Sequence, residues 1–253
     1  MLTGRDDLPA PTAAVLTELG VADVVVAGGP AAVSDGVLAD LRQRGFSVER
    51  IAGADRYETA ARLAVAFVDV QGFGDRILVA AGEHAVADQQ WPDALVGTPA
   101  AMAWSAPLLL VTPTTIPPAT VAVIRDLAPQ RAVVLGGPST IDESLDAALR
   151  AHVTTVDRIA GSDRYATAVA IADAIGTPPG VVVLATGQRF PDALAAGPAA
   201  VAWGGVVLLT PSYPSAPVAI GAMEAWRPAV HVVGGPASVS DVAATSLAFA
   251  ASG

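Results

Sequence analysis

Short apolar runs, each bounded by glycine or proline, recur along the whole chain. They are VADVVVAGG from Val21, VERIAG from Val48, DRILVAAG from Asp75, APLLLVT from Ala106 and RAVVLGG from Arg131. The series continues with TTVDRIAG from Thr154, GVVVLATG from Gly180, GGVVLLT from Gly204 and AVHVVGG from Ala229. Runs of this length rich in Val, Ile and Leu predict buried β-strands. Between them lie Ala- and Leu-rich segments with helical spacing, such as SDGVLADLRQRG from Ser34 and TIDESLDAALRAH from Thr140. Strand–helix–strand alternation with short connections implies mainly parallel sheets, and strands this uniformly apolar need helices on both faces. The predicted fold class is α/β, built from three-layer units.

The pattern also repeats. RIAGADRYETA from Arg50 returns as RIAGSDRYATA from Arg158, with nine of eleven positions identical at a spacing of 108 residues. VVVAGGP ending at Pro30 becomes VVLGGP ending at Pro138 and VVGGP ending at Pro236, and WPDALVGTPAA from Trp91 becomes FPDALAAGPAA from Phe190. Repetition at a long period turns each motif into a replicate. Counted from RIAG, one full unit covers 50–157 and another 158–253, while 1–49 matches only the second half of a unit: Thr12 aligns with Thr120 and Gly28 with Gly136. This phase predicts either an upstream remainder or completion of the first unit by self-association.

The ordered set of RIAG-x-DRY-x-TA, PDAL, an LLLT strand and a strand ending in GGP resembles the cell wall-binding repeat 2 family of Gram-positive surface proteins. The resemblance implies tandem, pseudo-symmetric Toprim-like or Rossmann-like units, three of them in a pseudo-threefold ring. It implies secretion and association with the cell wall, an anionic wall polymer or glycan as partner, and no cofactor.

Composition narrows the alternatives. Hydrophobic residues make up 53% and charged residues 15% of the 253. Two uncharged stretches, 94–124 and 193–223, have the length of membrane spans. Prolines at 99, 107, 113, 117 and 118 interrupt the first and those at 198, 211, 214 and 217 the second, so buried helix plus strand is the expectation. The absence of cysteine excludes disulfides and thiolate chemistry. A net charge of −10 with no basic patch argues against nucleic acid, and means that an anionic polymer must be held by local geometry or a bridging cation. The start, MLTGRDDLPAP, has no signal-peptide pattern.

Each repeated motif ends a strand, the edge where open α/β sheets bind ligands. Asp55 and Asp163 are placed to cap the following helix, with Glu58 completing a capping box in the first copy only. Ser34, Asp142 and Ser240 are further candidate caps. Arg56 and Arg164 offer planar donor forks, either for an anionic group of a polymer or for carboxylates between repeats, Asp93 and Asp192 among them. Tyr57 and Tyr165 read as core side chains with satisfied hydroxyls. PDAL puts Pro92 and Pro191 in a first helical turn, with Asp93 and Asp192 near the helix's positive end. The glycine pairs Gly28–Gly29, Gly136–Gly137 and Gly234–Gly235 are either tight packing turns or phosphate- and carboxylate-binding turns.

His84, His152 and His231 share no metal-ligand spacing, and GEHAVADQQW from Gly82 stands where the other copy has only GQRF from Gly187, so the extra residues, with His84 and Asp88, read as a surface insertion in one copy. The leading reading is a non-catalytic wall-attachment module. The alternatives are a peptidoglycan-acting hydrolase or nucleotide-binding α/β enzyme, and a structural element of surface-layer or adhesion assembly.

Overall fold

The computed structural model describes residues 1–83, 92–176 and 178–252. The expected surface insertion, with His84 and Asp88, lies largely outside the described residues. All nine predicted strands form, and every strand pairing is parallel. They divide into three sheets.

The first unit contains α1 (Ala10–Glu18), β1 (Asp23–Ala27), α2 (Asp35–Gln43) and β2 (Ser47–Ile51), with β1 and β2 as a two-stranded sheet. The second contains α3 (Arg56–Gln71), β3 (Arg76–Ala81), α4 (Pro92–Val96), α5 (Thr98–Ala103) and β4 (Leu108–Val111). It continues through α6 (Pro118–Leu127), β5 (Arg131–Leu135), α7 (Glu143–Leu149) and β6 (Thr155–Ile159), and its sheet order is β4-β3-β5-β6. The third contains α8 (Arg164–Ile175), β7 (Val181–Thr186), α9 (Phe190–Ala202), β8 (Val206–Thr210), α10 (Pro217–Trp226), β9 (Ala229–Val233) and α11 (Asp241–Ser252), with order β8-β7-β9. The sequence period and the sheets are out of phase by one strand. The RIAG strands β2 and β6 open a repeat by count, yet they pair with the GGP strands β1 and β5 that precede them.

Alternation along the central strands builds three layers, because successive side chains leave a strand on opposite faces. In β3, Ile77, Val79 and Ala81 join a core with Ala61 and Ala64 of α3, Ile124 of α6 and Leu145 and Leu149 of α7. Leu78 and Ala80 point the other way, into a core with Val96, Ala100 and Ala101. That second core runs without a break into the third unit through Ala168, Ala196 and Ala200. Small side chains allow the helices to approach closely: a methyl group at Gly197 of α9 would sit 2.9 Å from Cβ of Thr98 in α5. The two uncharged stretches resolve into helix and strand as expected, and no described helix is long and apolar enough to cross a membrane.

Candidate functional site

The RIAG-x-DRY-x-T motif is a set of interlocking backbone contacts, made the same way twice. Arg50 donates to the carbonyls of Gly28 (2.5 Å) and Val33 (2.8 Å), and Arg158 to the carbonyl of Gly136 (2.7 Å). In return the N–H groups of Gly28 and Gly136 donate to Ile51 and Ile159, each at 2.9 Å. The RIAG glycines, Gly53 and Gly161, pack directly on Glu58 and Ala166 of the next helix, leaving no room for a Cβ. Their N–H groups donate to Thr59 and Thr167 Oγ1 at 2.9 and 3.0 Å.

The aspartates cap as expected. Asp55 Oδ1 accepts from the Glu58 N–H (2.8 Å), and Asp163 Oδ1 from Tyr165 (2.9 Å) and Ala166 (2.8 Å). Glu58 reaches back to the Ala54 N–H (2.7 Å), and this bond, with help from Arg62, holds its carboxyl below the usual range. Asp142 caps α7 through the Ser144 N–H, and Ser240 accepts from Ala243. Ser34 sits at the start of α2 without a side-chain capping bond, and its N–H donates to the Arg5 carbonyl instead.

The motif arginines reach forward to the next strand end. Arg56 donates to the Gly82 carbonyl (2.7 Å) and Arg164 to the Gly187 carbonyl (2.6 Å). The tyrosine rings lie flush on the same glycines, with Cε1 of Tyr57 and Tyr165 at 2.6 and 2.7 Å from where a Cβ would stand. The Tyr57 hydroxyl is shielded from solvent beside the Glu83 carboxylate, outside standard hydrogen-bond geometry. Burial and the charge of Glu83 raise its pKa.

PDAL and GGP meet within the second and third units. The first GGP glycines have φ of +115°, +113° and +119° at Gly28, Gly136 and Gly234, a region that excludes most side chains. A Cβ at Gly136 would lie 2.5 Å from Asp93 Oδ2, and one at Gly234 2.7 Å from Asp192 Oδ2. The second glycines are roomier: Gly137 has its nearest neighbour at 3.9 Å and Gly29 at 4.0 Å, with nothing near Gly235. Asp93 is 7% exposed, and burial pushes its pKa up to about 6 against the opposing pull of Arg164. Asp192 is half-buried.

Arg164 stands where the second and third units join and lines two adjoining clefts. The first, about 250 Å³, is walled by Glu83, Asp93, Gly137, Thr140, Asp163 and Arg164. It collects the ends of β3, β5 and β6 with the start of α4, while the end of β4 stays outside. The second, about 310 Å³, contains Arg164, Thr186, Gly187, Gln188, Arg189 and Phe190, and no acidic side chain lines it among the described residues. Asp93, Gly137, Asp163 and Arg164 are thus brought together. Asp55 and Arg56 lie at the junction with the first unit, Gly28 and Gly29 within that unit, and Asp192, Gly234 and Gly235 on the third. Arg189, Phe190 and Gln188 were not singled out from sequence, because they fall in the GQRF turn, which differs between the two copies.

His152 is half-buried, and the exposed His231 stacks on Trp203 with ring centroids 4.3 Å apart. Among the described residues, no three His, Cys, Asp or Glu side chains are grouped to hold a metal ion.

The sequence profile described as Cell wall binding domain 2 (CWB2) matches residues 50–146 and 158–244. N-acetylmuramoyl-L-alanine amidase LytC of Bacillus subtilis (strain 168) is 31% identical over 195 residues, which are 77% of this chain and 36% of the amidase. The amidase enhancer of the same organism is 32% identical over 162 residues, 64% of this chain and 21% of its own length. The chain therefore spans about a third or less of these curated relatives. In fold it is similar to Cwp6 from Clostridium difficile, with a TM-score of 0.86 at 22% identity over 98% of this chain and 39% of that one. Cwp8 from the same organism superposes with a TM-score of 0.82 at 21% identity, over 99% of this chain and 42% of that one.

Proposed function

The chain belongs to the Cell wall binding domain 2 family, and we propose on that premise that it is a non-catalytic module anchoring a larger protein to an anionic polymer of the wall. The matches to an amidase and an amidase enhancer are consistent with an attachment region shared among longer proteins. The setting is the outer wall of a Gram-positive cell, reached by export.

The observation that carries this reading is the cleft at the unit junction where two arginines and an exposed phenylalanine meet. Arg164 and Arg189 supply guanidinium donors suited to phosphate or carboxylate. Phe190, 46% exposed, supplies an apolar face for a sugar ring, and Gln188 and Thr186 add neutral polar groups. Together these suit a polymer of alternating sugar and anion. Among the described residues no carboxylate lines this cleft, although the chain carries a net charge of −10. The adjoining cleft with Glu83, Asp93 and Asp163 suits docking between units, with Arg164 serving both. Replication along an array would add avidity to individually weak contacts. The GGP turns, Asp55 and Arg56, and Asp192 take part chiefly through packing that shapes each site.

Binding to purified Gram-positive sacculi tests the reading. The 253-residue chain is expected to sediment with sacculi and to be released when their anionic polymers are stripped. Arg189→Ala with Phe190→Ala is expected to abolish sedimentation without unfolding the chain. Equal binding to stripped sacculi, or none to intact ones by a folded protein, overturns it.

A further inference from the structure

Docking of the second unit against the third leaves a polar cleft of about 250 Å³ open between them. At about 30 Å³ per water, that is room for one sugar-sized group and not for a chain. Two of its three acids are engaged. Asp163 Oδ1 accepts the two N–H groups that it caps, and Glu83 lies beside the Tyr57 hydroxyl. Asp93 is the exception. It is 7% exposed and lines the cleft, yet no described residue donates a hydrogen bond to its carboxylate. Arg164, also in the wall, acts on it through space while donating to the Gly187 carbonyl.

A shielded carboxylate without donors is a standing cost, and such a group calls for an explanation. The wall around it offers one. The Gly137 N–H and the hydroxyls of Ser139, Thr140 and Ser162 make no hydrogen bond to another described residue. Unused donors and an unused acceptor thus border one small space. Both signs of charge stand there too. A cation would meet Arg164, an anion would meet Asp93 and Glu83, and no three acids are grouped to hold a metal ion among the described residues. A neutral ligand with several hydroxyls suits the whole set. Each hydroxyl can donate to a carboxylate while accepting from an N–H or a guanidinium.

We propose that this cleft is a binding subsite for a neutral polyhydroxyl group, a sugar ring of the wall polymer, whose hydroxyls donate to Asp93 and accept from Arg164 and the Gly137 N–H. Assigning the ring to the polymer rests on the anchoring function; the site itself does not. Arg164 lines both clefts, so a polymer can set an anion beside Arg189 and a neighbouring ring against Asp93. Reading a ring by its hydroxyls adds a selectivity that attraction to charge lacks, because an analogue without them strands the buried acceptor.

The test follows backbone amides of the 253-residue chain by NMR during titration with glucose, N-acetylglucosamine and glycerol, and separately with inorganic phosphate. At least one neutral probe is expected to shift the Gly137 and Thr140 amides saturably, with little dependence on salt. Phosphate is expected to shift Gln188 instead. Asp93→Asn is expected to weaken the neutral probe about tenfold with Tm not lowered, a combination that a purely structural acid would not give. Thr140→Val is expected to weaken it about threefold. No saturable shift at Gly137 and Thr140 from any neutral probe, or undiminished binding by Asp93→Asn, overturns the subsite. Phosphate shifts at Gln188 beside such a failure leave the anchoring function standing. Saturable neutral-probe shifts in a chain that ignores sacculi support the subsite and overturn its assignment to the wall polymer.

Discussion

Asp93 of the second unit and Arg164 of the third face each other across a shared cleft, the acid 7% exposed and the base bonded to the Gly187 carbonyl. The arginine only partly offsets the desolvation of the acid, so the pair is a poised contact and not a fully compensated ion pair. Its consequences are measurable.

The first concerns pH. The folded pKa of Asp93 is raised from 3.8 to about 6, so between these values the native state binds more protons than the unfolded chain. Stability from this group is fully present below pH 3.8 and is lost as pH rises through about 6. The gap amounts to roughly 3 kcal/mol at neutral pH. Asp93→Asn, which mimics the protonated acid, is expected to raise Tm at pH 7.5, with the gain shrinking towards pH 4. Thermal melts across that range decide it, and an unchanged pH slope in the variant would remove Asp93 as the source.

The two glycines of GGP are expected to respond differently. Gly136→Ala meets both a positive φ and the Asp93 carboxylate. A left-handed residue with a Cβ costs about 1–2 kcal/mol before any displacement of Asp93 is counted. Gly137→Ala has ordinary space around it and should stay within about 0.5 kcal/mol of the parent. Urea unfolding separates them, and loss of wall binding in a fully stable Gly137→Ala protein would assign that turn to the ligand.

Two arginines at equivalent positions differ in their surroundings. Arg158 and Asp146 are 16% and 15% exposed, whereas the partner of Arg50, Asp35, is 80% exposed. Arg158→Ala strands a shielded carboxylate and the Gly136 carbonyl, at a cost of about 3 kcal/mol. Arg50→Ala is expected to cost roughly half as much, since water can take over at Asp35. Equal losses in chemical denaturation would contradict this account.

Gly197 tests the join between units. An added methyl would press on Thr98 across the α5–α9 contact. Gly197→Ala is expected to cost about 1–3 kcal/mol, and Thr98→Ala in the same chain, which removes Oγ1 and Cγ2 but keeps Cβ, should recover part of it. A double-mutant cycle showing no coupling would mean that the helices reseat without cost.

The strands were legible from sequence because each is an apolar run closed by glycine or proline, and the caps at Asp55 and Asp163 because capping is local. The work of Arg56 and Arg164 was not. Their acceptors, the carbonyls of Gly82 and Gly187, lie more than twenty residues downstream and become neighbours only through the strand order. The choice between gripping a polymer and bridging carboxylates accordingly left out a backbone carbonyl. Thr59 and Thr167 were passed over although they recur with the glycines they bind, and that co-recurrence was the available signal. The burial of Asp93 depends on a neighbouring unit, which no reading of PDAL alone contains.

That β2 and β6 begin a repeat by count but complete the sheet before it bears on how such arrays lengthen. A duplication running from one RIAG to the next inserts a segment whose opening strand finishes the older copy, while its own last strand awaits the next. Recombination at that seam preserves the contacts that Arg50 and Arg158 make to Gly28 and Gly136, since donor and acceptor travel in neighbouring copies. Growth by repetition then requires no newly evolved interface, and excision for expression should cut after Gly53 or Gly161, where the sheets close, and not at the arginines where the spelling repeats.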